Sequence, residues 1–78
     1  MPKLPVVSSA DVIAALKQVG FTIVSQRGSH IKLQRIVEES TQTVIVPNHK
    51  EIKRGTLRNG ILKPINLSVE EFIKLLQN

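Results

Sequence analysis

The chain of 78 residues predicts one small α+β domain, in the order helix, three antiparallel strands, helices. Three observations carry that prediction. Apolar residues recur at helical spacing between Ser8 and Gly20. Three runs rich in β-branched residues follow, separated by short polar turns. Near the carboxyl end, a Ser-x-x-Glu cap opens an amphipathic run.

The first helix is expected over about residues 9 to 19. Ser8-Ser9-Ala10-Asp11 reads as a capping box, in which a hydroxyl accepts a free amide of the first turn and an acid sits at the positive end of the helix dipole. Val12, Ile13, Leu16 and Val19 form the apolar stripe, and Gly20 supplies the left-handed residue that ends many helices.

Phe21 to Arg27 is the first strand, and Gly28-Ser29 a two-residue turn into a second, His30 to Val37. Period two puts Ile31 and Leu33 on one face and His30, Lys32 and Gln34 on the other, so the imidazole lies beside a cation on the polar surface. The polar stretch Glu38-Glu39-Ser40-Thr41 connects to a third strand from Thr43, which Pro47 terminates. Its register is open, because Val44-Ile45-Val46 offers no alternation.

Asn48 to Gly55 is a basic loop, after which Thr56 is expected to cap a second helix with Leu57, Ile61 and Leu62 on one face. Gly60 weakens that helix by about 1 kcal/mol relative to alanine, and Pro64 keeps it short. Ser68-Val69-Glu70-Glu71 caps the last helix, which runs through Phe72, Ile73, Leu75 and Leu76. This order is that of the double-stranded RNA-binding domain, a three-stranded antiparallel sheet with helices on one face and the other face wet.

The charge of +5 is local. Residues 27 to 63 hold eight Lys or Arg against three Glu, while the flanks hold three against three. A cationic segment favours a polyanion, with nucleic acid ahead of an anionic membrane surface or an acidic protein. Only Phe21 and Phe72 are aromatic, and both fit the core, so contacts to phosphate and sugar are expected in place of base stacking. Without cysteine there is no disulfide or thiolate chemistry, and neither a structural metal nor a cofactor is expected. No stretch approaches the roughly 18 apolar residues of a membrane span, and Met1 to Val7 is too short and Pro-broken for a secretory signal, so a cytoplasmic location is expected.

From Val12 onward the chain resembles the HicA (YcfA-like) mRNA interferase toxins of bacterial toxin-antitoxin pairs. The resemblance rests on Gly20-Phe21, Arg27-Gly28-Ser29-His30, Val44-Ile45-Val46-Pro47-Asn48-His49, the block Glu51 to Arg58, and Leu67 to Phe72, in that order and spacing. It implies a single HicA-like domain over 1–78, with residues 1–7 as an amino-terminal extension. It also implies a ribonuclease that cuts mRNA without a metal and is held inactive by a HicB antitoxin. The family's essential histidine maps onto His30. Two departures stand out: Asn59 to Asn66 is one residue longer than the family pattern and contains Pro64, and Ile31 stands where some members carry a second histidine.

Metal-free RNA cleavage begins with the 2′-hydroxyl attacking its own phosphate. The protein must take that proton, protonate the departing 5′ oxygen and stabilise charge on the phosphate. Histidine suits proton transfer because its unperturbed pKa of about 6.5 leaves both forms populated near neutrality. His30 is the catalytic candidate, against the plain alternative of a surface histidine that fits a hairpin. Lys32 is placed to hold the scissile phosphate. His49 either divides the proton transfers with His30 or lines the RNA path, and Ser29 either bonds a phosphate oxygen or only shapes the turn. Arg27, Lys50, Lys53, Arg54 and Arg58 are the RNA-backbone candidates, the last four clustered where a helix start also favours phosphate. Two other classes fit the same residues: a non-catalytic duplex-RNA-binding module, which has no need of His30, and an inactive remnant that only binds an antitoxin.

Overall fold

Ser8 opens the first helix as its sequence requires: its hydroxyl accepts from the Asp11 N–H and the Asp11 carboxylate accepts from the Ser8 N–H, each at 3.1 Å. In the computed structural model, which describes residues 3–77, this helix, α1, spans Ser9–Gln18. Met1 and Pro2 of the amino-terminal extension, and Asn78, lie outside the described residues. Beyond the helix, Gly20 takes a φ of 97°, and α1 buries Val12, Ala15 and Leu16.

Strands β1 (Thr22–Arg27), β2 (His30–Val37) and β3 (Ser40–Pro47) form one antiparallel sheet with β2 central. Ile31, Leu33, Val44 and Val46 are buried on the inner face, which settles the register of β3: Ile45 points outward. All six residues of β1 are exposed, and a bulge between Ile23 and Ser25 breaks the regularity of this edge, which discourages pairing with another chain. The third strand starts three residues earlier than expected. Glu38 and Glu39 alone reverse the chain, with φ of 48° and 68°, so Val37 and Ser40 pair directly. Positive φ at both central residues matches the twist of a hairpin, but glutamates give no sequence signal for it.

The second helix also departs from expectation. Thr56 does not cap it: Arg54 and Gly55 are already helical, and no side chain caps the start. From Thr56 to Leu62 the helix is a π-helix, in which the Lys63 N–H reaches back five residues to the Arg58 carbonyl. The wider turn keeps Leu57, Ile61 and Leu62 buried. Pro64 falls at the start of a 3₁₀ turn, Lys63–Ile65, where its missing N–H costs little. Asn66, left-handed at φ 56°, ends the turn. Helix α2 (Val69–Leu76) follows with the predicted capping box between Ser68 and Glu71, and it buries Phe72.

These helices pack on the inner face of the sheet, where Phe21 and Phe72 are 1% and 0% exposed. The amino-terminal extension joins this core through Leu4 and Val7. Val7 forms an isolated antiparallel bridge with Ile52, whose N–H donates to the Val7 carbonyl at 2.7 Å.

Candidate functional site

His30 owes its position to the turn before it. Gly28 adopts a φ of 54°, which glycine tolerates without strain, and the chain reverses within two residues so that His30 opens β2. Its neighbour Ile31 is buried, so the exposed imidazole lies on the open face, with Lys32 half-buried two positions along. Across the ladders His30 stands between Arg27 and Pro47, and Lys32 between Ser25 and Ile45. The charged side chains placed beside the imidazole by strand register are therefore cations. Like charges so close repel unless an anion lies between them, which suits a phosphate.

His49 comes to the same end of the sheet by a second route. The His49 N–H donates to the Pro47 carbonyl at 2.9 Å, closing a three-residue turn, and the Asn48 N–H donates to the Ser29 carbonyl at 2.6 Å. Ser9, at the start of α1, then donates its N–H to the His49 carbonyl at 3.0 Å and its hydroxyl to Asn48 Oδ1 at 3.1 Å. Both histidines are exposed.

Lys50 and Lys53 follow on the exposed loop, and Arg54, also exposed, opens the second helix. Arg54 has a structural duty besides its charge, since its Nε donates to the Leu4 carbonyl at 2.6 Å. Arg58 lies on the π-helix and lines a shallow groove of about 450 Å³ with Asn59, Lys63 and Ser68 at the start of α2. Neither histidine lines that groove. The fold thus brings Arg27, Ser29, His30 and His49 to one end of the sheet, with Lys32 two positions along β2, and carries the charge on through Lys50 and Lys53 to Arg54 at the helix start, while Arg58 lines the groove with Lys63. Sequence reasoning missed Ser9 and Asn48, whose roles arise from contacts 39 residues apart, and Lys63, whose only signal was its charge.

Among the described residues, no group of three or more His, Cys, Asp or Glu side chains is placed to hold a metal ion. No described helix is long and apolar enough to cross a membrane.

A comparison with curated proteins gave no match. The family model for the HicA toxin of bacterial toxin-antitoxin systems matches residues 9–67, a span that contains α1, the whole sheet, both histidines and the π-helix. With most of its length so matched, the chain belongs to the HicA toxin family.

Proposed function

We propose that this toxin is a metal-independent endoribonuclease acting on mRNA in the cytoplasm, with His30 as its acid–base group. The observation that carries the reading is the exposure of His30 on the wet face of the sheet, between Arg27 and Pro47 and beside Lys32. In this mechanism the 2′-oxygen bonds to phosphorus as His30 takes its proton, and the bond from phosphorus to the 5′ oxygen breaks as that oxygen is protonated. The products are a 2′,3′-cyclic phosphate and a 5′-hydroxyl. Arg27 and Lys32 offset the charge that builds on the phosphate oxygens, and Ser29 sits at the turn to donate to one of them. Lys50, Lys53 and Arg54 track the flanking backbone, and His49 is the second group available for proton transfer.

The partner in this reading is a HicB-type antitoxin. Support comes from the same open face, where Ile45, 43% exposed, stands opposite Lys32. Apolar side chains rimmed by charge form a surface that a protein partner covers favourably.

Induced expression of the chain should halt bacterial growth and degrade message, His30→Ala should abolish both, and co-expression of a neighbouring small gene product should restore growth. Purified protein that protects duplex RNA without cutting it would instead favour a binding module. Tight antitoxin binding without growth arrest would favour an inactive remnant.

A further inference from the structure

We propose that Ser9 and Asn48 are positioning residues that hold His49 and its loop against the His30 turn. The inference rests on the RNA-cleavage reading above. Ser9 is a buried polar residue, 7% exposed, in a helix whose cap is already supplied by Ser8. Its hydroxyl is therefore not needed to start α1, yet it reaches Asn48 Oδ1. The Ser9 N–H, one of the amides that a helix start leaves without an internal partner, is taken by the His49 carbonyl. Asn48 in turn donates its own N–H to the carbonyl of Ser29, the residue before His30.

These bonds connect Ser29, Asn48, Ser9 and His49 in one chain, so two imidazoles, one at the head of β2 and one on the loop after β3, share a single anchor in α1. The loop is held again farther on, where Val7 accepts from Ile52 and Leu4 accepts from Arg54. Loss of the Ser9–Asn48 bond therefore loosens the histidine end and leaves the rest attached. Small displacements of a proton donor are costly in rate even when the fold persists.

The test is steady-state cleavage of a defined RNA, with thermal melts to confirm folding. Asn48→Ala and Ser9→Ala should each lower kcat about tenfold with KM changed less than about twofold. The double variant should be no worse than either single one. Asn48→Asp keeps the acceptor for Ser9 and the backbone donor, so kcat should return to within about threefold of wild type, while the added negative charge raises KM for RNA. Alanine variants with wild-type kcat, or an aspartate variant as slow as alanine, would overturn the proposal.

Imidazole NMR separates this claim from the reading beneath it. If wild type and His30→Ala are equally inert toward RNA, the cleavage reading falls. The positioning claim is then decided by the His49 ring signals, which should move alike in Ser9→Ala and Asn48→Ala. Ring signals unmoved in the alanine variants would overturn it.

Discussion

The two ends of the sheet are built differently. At one end the chain turns through Gly28-Ser29, uses glycine where φ is positive, and is bonded through Asn48 and Ser9 into α1. At the other it turns through Glu38-Glu39, two like charges both at positive φ, and leaves Ile36 78% exposed. Left-handed conformations cost non-glycine residues about 1–2 kcal/mol each. The far turn carries that strain and only reverses the chain. The near turn avoids it and is tied by hydrogen bonds to two other segments, which is what a group that must be held in place requires. Along the hairpins the turn residues differ in charge too, with Arg27 opposite His30 and Lys32 two positions along at one end and the paired glutamates at the other.

The largest perturbation removes what both ends share. Leu33, fully buried at the centre of the inner face, should cost about 2–5 kcal/mol when changed to alanine, read by denaturant unfolding. A loss well below that range would mean the ends do not depend on a common core.

Next come the turns themselves, where opposite signs are expected. Replacing Glu38-Glu39 by Asn-Gly should add roughly 1 kcal/mol of stability and leave RNA cleavage unchanged, because that pair adopts the required φ readily. Gly28→Ala meets no atom within 4 Å, so its penalty of about 1–2 kcal/mol is purely backbone, and it should also slow cleavage by disturbing His30. Equal effects on activity at the two turns would break the contrast.

Binding sharpens the charge difference. Lys50→Ala and Lys53→Ala should each lower the slope of log affinity for RNA against log salt by roughly 1, whereas Lys74→Ala on α2 should leave it unchanged. The smallest effect is expected far from the histidines: Ser68→Ala removes the α2 cap and should cost about 1 kcal/mol in a thermal melt without altering cleavage.

Much of this design was legible in the sequence, for local reasons. Both capping boxes, the Gly28-Ser29 turn and the inward set Ile31 and Leu33 are written in short-range residue chemistry, and each is found where expected. Exposure of His30 follows from the same alternation. The illegible parts arise from longer-range or unsignalled effects. The start of β3 was hidden because Glu38-Glu39 lacks the glycine or asparagine that marks a two-residue turn, and its register because Val44-Ile45-Val46 does not alternate. The π-helix was visible only as an awkward proline. That the strand pairing of Val7 with Ile52, the Arg54 tie to Leu4 and the Ser9–Asn48 bond exist could not be read at all, since each joins segments about 40 residues or more apart.

The most direct test of the account is cleavage of a defined RNA by purified protein in chelator, wild type against His30→Ala. Wild type should yield 2′,3′-cyclic phosphate ends. His30→Ala should lose about a hundredfold or more in rate with its melting temperature preserved. A His30→Ala protein that cuts as fast as wild type would contradict the account.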